Sequence, residues 1–229
     1  MNNQPSRTYT KIALALCLSA LAIVSCTKKE AVEKAQESSP AASASEIILG
    51  HFASLTGDTA SFGLSTRKGV DLAAKIFNAA GGLNGKTVKV ITYDDQSKAE
   101  EASMMVTKLI TEDKVHAVLG EVASKLSIVA ADVAQRSKTP MISPSSTNPA
   151  VTEKGDYIFR ICFIDPFQGE VMAKFAGENL KAKTAAIIRD QAQDYSVGLA
   201  NYFKKAFEAK GGKVVLDTSY NTKIGRAHV

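Results

Sequence analysis

A chain of 229 residues, 45% hydrophobic and 22% charged, is long enough for one large or two smaller domains with real cores. Its formal charge of +5 falls to +3 once a basic leader carrying Arg7 and Lys11 is removed, and its lysines are scattered among acids with no interleaved aromatics, which argues against a nucleic-acid partner. Of the three cysteines, Cys17 and Cys26 fall in the leader region, so Cys162 stands alone in the folded part and no internal disulfide is expected.

Arg7 and Lys11 precede the apolar run Ile12 to Val24, which is too short to span a bilayer as a permanent helix, so residues 1–25 read as a signal peptide. The stretch Ile23-Val24-Ser25-Cys26 resembles the lipobox of bacterial lipoproteins, in which the cysteine is diacylated and becomes the mature N-terminus. The expectation is lipid on Cys26 and an exported protein anchored to the bacterial cell envelope, on its periplasmic or outer face. Residues 26–45 are charged, then rich in Ser and Ala, with no apolar period, and read as a flexible tether.

Strand and helix signals then alternate. Residues 47–52 form an apolar strand candidate, and Val70, Ala73, Ala74, Ile76 and Phe77 recur at helical spacing from about 62 to 78, closed by Gly81-Gly82. A strand at 86–93, a helix at 98–111 and a strand at 115–119 follow. The rhythm continues with a helix at 124–136, strands at 140–142 and 157–163, a helix at 168–180, a strand at 185–188, a helix at 195–209 and a strand at 214–216. Such alternation implies parallel βαβ units in a doubly wound α/β sheet, with ligands beyond the carboxyl ends of the strands.

Several residues invite a chemical reading and have a plainer one. Asp94 and Asp95 are adjacent on a strand end and point to opposite sides, so a helix-capping aspartate is expected rather than an acid/base pair. His51 and His116 have no ligand-type residue at metal spacing, and no metal or cofactor is expected. Phe203 and Phe207 read as core on an amphipathic helix, and Cys162 as a packed thiol in an apolar run. Glu121 is close enough to the loop below to touch a ligand or to be a solvated loop acid.

The loop leaving the third strand, Gly120 to Ser124, puts a hydroxyl where a helix N-cap stands, with first-turn amides unpaired. A cap and an anion contact are both open readings there. The next loop, Ser143-Pro144-Ser145-Ser146-Thr147-Asn148-Pro149, brings a second hydroxyl cluster to the same sheet edge and favours the anion.

The stretches "SLTGDTASFG" (54–63), "NAAGGLNGK" (78–86), "YDDQSKAEEA" (93–102), "MISPSSTNP" (141–149) and "DYSVGLA" (194–200) resemble the type I periplasmic binding proteins. The likeness is to their leucine/isoleucine/valine-binding group, which serves ABC importers, and it runs in one consistent order from about 46 to 221. It implies two Rossmann-like lobes closing on an amino acid, the first over 46–165 and the second beginning at 166–223 and incomplete. It further implies that Ser124 holds the ligand carboxylate, with Thr147 as a hydroxyl and amide donor. The carbonyl of Ser145 receives the ammonium, Phe62 lines the first lobe, and Tyr195 covers the ligand from the second. Some relatives carry a disulfide where Ser97 and Ala123 stand here, and the family's acidic ammonium partner lies in a later segment than this chain contains. The last residues, Ile224-Gly225-Arg226-Ala227-His228-Val229, match the in-frame translation of a common short-read sequencing adapter, so 224–229 are expected to be a non-native tail.

The function expected is therefore a solute-binding lipoprotein, with a small amino acid, importer permease subunits and, through its lipid, the membrane as partners. The alternatives are a protein for amides or aromatic acids, or a sensor lobe, on the same fold. An enzyme is not expected, since no Gly-x-Ser-x-Gly elbow surrounds Ser124 or Ser143.

Overall fold

The computed structural model describes residues 46–221. The signal peptide, Cys26, the tether and the tail at 224–229 lie outside the described residues. The elements run β1 (Ile47–Ala53), α1 (Ala60–Ala79), β2 (Val88–Asp94), α2 (Ala99–Thr111), β3 (Ala117–Leu119), α3 (Ser124–Arg136) and β4 (Met141–Ser143), then a 3-10 turn (Pro149–Lys154) and β5 (Ile158–Arg160). After these come α4 (Asp165–Lys174), a π turn (Phe175–Asn179), β6 (Thr184–Asp190), α5 (Asp194–Ala209) and β7 (Lys213–Tyr220).

Local chemistry explains several boundaries. Glu100 and Glu101 in the first turn of α2 and Lys108 in its last oppose the helix dipole favourably. Pro166 stands in the first turn of α4, just after Asp165, where its missing N–H has no partner to lose. The expected strand at 157–163 is shorter, because only 158–160 pair with β4.

Five parallel strands form one sheet in the order β2-β1-β3-β4-β5, with Phe52 opposite Tyr93 and Val118 opposite Met141. Its core contains Phe52, Val106, Leu109, Val118, Leu126, Met141 and Val151, with α2 and α3 packed together over it. Each of these larger side chains contributes about 1.5–3 kcal/mol by leaving water. The order reverses at β1, whose neighbours β2 and β3 run outward in opposite directions. Loops leaving β1 and β3 therefore diverge and leave a crevice at the carboxyl ends of the strands.

Two glycines let the chain approach that crevice closely. A Cβ on Gly63 would lie 2.0 Å from the Ser54 carbonyl oxygen, so only glycine lets the first turns of α1 sit against the end of β1. Gly120, at φ +120, would place a Cβ 2.2 Å from the Phe52 oxygen as the chain leaves β3.

A second, two-stranded parallel sheet is made by β6 and β7. Helices α4 and α5 pack against each other beside it. Phe207 is buried and stacks on Phe203 with ring centroids 5.4 Å apart, as expected of core residues.

Candidate functional site

Loops leaving β1, β3, β4, β6 and the end of β7 meet around a cavity of about 600 Å³. Ser124, Ser145, Thr147, Phe62 and Tyr195 all line it, together with Thr59, Phe163, Gln168, Asp190 and Tyr220. The structure thus gathers all five residues named from the sequence. Its floor and rim differ in chemistry: Ser124 and Thr147 are buried, whereas Phe62 and Tyr195 are 61% and 41% exposed. Polar groups are withdrawn from water at the bottom, and aromatic faces stand at the mouth.

Ser124 is the first residue of α3 and not its N-cap. Ala123, in extended conformation, occupies the cap position, and no side chain bonds to the first turn. Backbone conformation, not the identity of the hydroxyl residue, sets where a helix begins. The Ser124 hydroxyl instead accepts from the amide of Asn148 at 3.3 Å, which ties the β3 loop to the β4 loop.

Glu121 is 1% exposed and lines no part of the cavity, so it is neither a ligand contact nor a solvated acid. Its carboxylate accepts from the Ser54 amide at 3.0 Å and from the Ala123 amide, while the carbonyl of Glu121 accepts from the hydroxyls of Ser143 and Ser146 at 2.8 and 2.9 Å. Ser127 lies within 2.8 Å of Ser146 and also bonds to Glu121. Three hydroxyls and one carboxylate thus tie the loops after β1, β3 and β4 together beneath the cavity. Burial pushes the Glu121 carboxyl upward, and the amides of Ala123 and Ser54 oppose it.

Asp94 and Asp95 do not cap α2, whose N-cap is Lys98 with no side-chain bond. Asp94 instead receives the amides of Leu55, Thr56 and Gln96 and the Thr56 hydroxyl, the last at 2.6 Å, clamping the loop that carries Thr59. Asp95 is fully buried, accepts from the Ser54 hydroxyl at 2.7 Å and the Ser97 amide at 3.0 Å, and leaves Oδ2 without a partner. Burial, and then the neighbouring Glu121 charge, raise its pKa to about 7.

Other residues that shape the site carried no mark in the sequence reading. Arg160 at the end of β5 donates to the carbonyls of Ser146 and Asn148 at 2.8 Å, of Pro149 at 3.0 Å, and to the Thr152 hydroxyl at 2.5 Å, holding the loop with Ser145 and Thr147 in one shape. A lone arginine in the apolar run 157–163 was its signal, since a charge in such a strand needs several partners. Asn148 donates through Nδ2 to the Asp194 carbonyl at 3.1 Å, next to Tyr195, and Gln168 Nε2 lies 3.2 Å from the Tyr195 hydroxyl. Among the described residues no cluster of His, Cys, Asp or Glu could hold a metal ion.

Two parallel α/β sheets whose loops converge on a cavity with a polar floor, at a change of strand order, define a ligand-binding protein of the doubly wound class. The periplasmic binding protein family model matches residues 46–224, and the chain belongs to that family. A leucine-, isoleucine-, valine-, threonine- and alanine-binding protein of Pseudomonas aeruginosa is 36% identical over 168 residues, which are 73% of this chain and 44% of that protein. A leucine-binding protein of Thermotoga maritima is similar in structure with a TM-score of 0.72 at 37% identity, over 77% of this chain and 49% of the other. So is a branched-chain amino acid transporter substrate-binding protein of Streptococcus pneumoniae, solved with isoleucine, at 0.73 and 34%, over 78% and 50%. The chain spans about half the length of the curated relatives it matches.

Proposed function

We propose that this chain is the solute-binding component of an ABC importer and takes a small amino acid, of branched-chain type, into the cavity between β3–β4 and β6–β7. The observation that carries the reading is the convergence of Ser124, Ser145, Thr147, Phe62 and Tyr195 on one cavity with a buried polar floor and an aromatic rim. In this reading Ser124 and Thr147 hold the carboxylate, aided by the uncapped first turn of α3. The Ser145 carbonyl takes the ammonium, and Phe62 and Tyr195 enclose the aliphatic chain. Residues 46–165 are the first lobe and 166–223 belong to the second.

Isothermal calorimetry with leucine, isoleucine and valine tests this, and suits a chain without tryptophan. Charge-assisted hydrogen bonds contribute roughly 1.5–3 kcal/mol each, so Ser124→Ala should weaken binding about tenfold to a hundredfold. Unchanged affinity in that variant would remove Ser124 from the site. A second reading is favoured by four aromatic residues in the lining, Phe62, Phe163, Tyr195 and Tyr220: binding of an aromatic acid or an amide, with none of the three amino acids, would keep a binding protein and replace its ligand.

We also propose export and lipid attachment at Cys26. Palmitate labelling and partition into a detergent phase should both disappear in Cys26→Ala; label retained by that variant rules the attachment out.

A further inference from the structure

Asn148 uses all four of its polar atoms, each toward a different element. Its amide donates to the Ser124 hydroxyl of α3 at 3.3 Å, its carbonyl accepts from Arg160 of β5 at 2.8 Å, and its Oδ1 accepts from the Ala150 amide at 3.0 Å, capping the 3-10 turn. These three bonds hold the β4 loop to the five-stranded region. The fourth leaves it: Nδ2 donates at 3.1 Å to the carbonyl of Asp194, the first residue of α5 and the neighbour of Tyr195. Asn148 itself lines no part of the cavity, whereas Ser124 and Tyr195, at the two ends of this chain of contacts, both do.

The approach of α5 to Asn148 is close, and residue 198, one turn further along α5, is glycine. A Cβ there would lie 3.1 Å from Asn148 Nδ2 and 3.4 Å from Asp165 Oδ2, so an alanine would displace either the Asn148 side chain or α5 itself. Glycine weakens a helix interior relative to alanine, and the contact with Asn148 accounts for its presence. A second link, from Lys125 Nζ of α3 to the Ala192 carbonyl, is longer at 3.5 Å and hangs on a flexible side chain.

We propose that Asn148 is a positioning residue that seats α5 on the β4 loop: its side-chain N–H holds the first turn of α5, and with it Tyr195, over the cavity, while its backbone stays on the Ser124 hydroxyl. The buried floor and the aromatic rim are thereby joined through one residue that touches no ligand. Such a bond lies outside the cavity and must break before Tyr195 can move away, so it governs how long a ligand stays and not how its polar groups are met.

Asn148→Asp separates the two uses of the side chain. Aspartate keeps an oxygen for the Ala150 amide but turns an acceptor toward the Asp194 carbonyl, so the cap survives and the seat is lost. In the ligand-free chain, hydrogen-exchange mass spectrometry should show residues 194–200 exchanging faster in this variant and residues 149–154 unchanged. With radiolabelled leucine on filters, release should be about threefold or more faster, with association within about twofold of wild type. Gly198→Ala favours the helix itself and should nevertheless speed release, and the double variant should add little to either change alone. Exchange at 194–200 unaltered by Asn148→Asp, or release rates equal to wild type in both single variants, overturns the proposal. Faster exchange throughout the chain would mean that Asn148→Asp has damaged the fold, and release from Gly198→Ala then decides. The leucine arm rests on the amino-acid reading above: if the wild-type chain does not bind leucine, that reading has failed, and exchange at 194–200 alone decides the bond from Asn148 to α5.

Discussion

The two parallel sheets differ in what covers them. In the five-stranded sheet, Phe52, Val118 and Met141 are fully buried beneath helices, and the loops at its carboxyl edge are bound to one another through Glu121, Asp94 and Arg160. In the two-stranded sheet, Ile188 is 68% exposed, Val215 and Leu216 lie open, and every residue of β7 from Val215 to Tyr220 is exposed. A pair of strands has little independent stability without further strands or a covering layer, so this region draws what it has from α4, α5 and their contacts. The cavity is thus rigid on one side and sparsely braced on the other. On the side bearing Ser124 and Thr147 the loops are tied together by buried hydrogen bonds, whereas only single bonds reach from it toward Tyr195, from Asn148 Nδ2 to the Asp194 carbonyl and from Lys125 Nζ to the Ala192 carbonyl.

The sharpest way to break that contrast is to cut each side chain to alanine and compare. Leu109 is fully buried against Gly50, where a Cβ would already lie 2.9 Å from a Leu109 methyl carbon. Leu109→Ala should cost about 2–5 kcal/mol in urea unfolding, because the tightly packed surroundings cannot collapse into the hole. Val215→Ala, 59% exposed on β7, should stay within about 0.5 kcal/mol. A large loss at Val215 would show that the face of β7 is covered in solution, and the contrast between the sheets would then be withdrawn.

The sequence made the skeleton legible because periodicity is local. The helix expected at 124–136 is α3 with the same ends, and each strand was placed within a few residues. Loop chemistry was harder to read because its partners are distant along the chain. Asp94 serves Leu55 and Thr56, 38 to 39 residues away, and Glu121 serves Ser54 at 67 residues, so neither role could be read from neighbours in sequence. Arg160 was overlooked for the same reason: its four acceptors exist only once the β4 loop has folded around it. The five residues that line the cavity were named through resemblance to a family. Local reading alone left Ser124 suspended between a cap and an anion contact, and the cap half of that choice did not survive.

Acid dependence sharpens the contrast further, since the groups with the largest displacements lie in the five-stranded region. Asp95 has an ordinary pKa of 3.8 and is raised to about 7, so between those values the folded chain holds a proton that the unfolded chain has released. Its contribution to stability is present in full below about pH 4 and is lost as pH rises toward 7. Burial displaces Glu121 in the same direction. His51 acts oppositely: buried on β1, it is lowered from 6.5 to about 4, so the folded chain binds fewer protons and stability is lost as pH falls through that interval. The carboxylate of Asp94, lowered by its hydrogen bonds, adds a loss only below its ordinary 3.8 and stays outside the window. Two opposing slopes therefore share the range from about pH 4 to 7. Asp95→Asn keeps an acceptor for Ser54 and Ser97 but cannot titrate, and it should leave the His51 slope exposed. Urea midpoints of this variant should fall as pH drops from about 6.5 toward 4, more steeply than those of the wild-type chain. Identical slopes in the two proteins would mean that Asp95 is ionised in the folded chain, and that its unpartnered Oδ2 carries no proton at neutral pH.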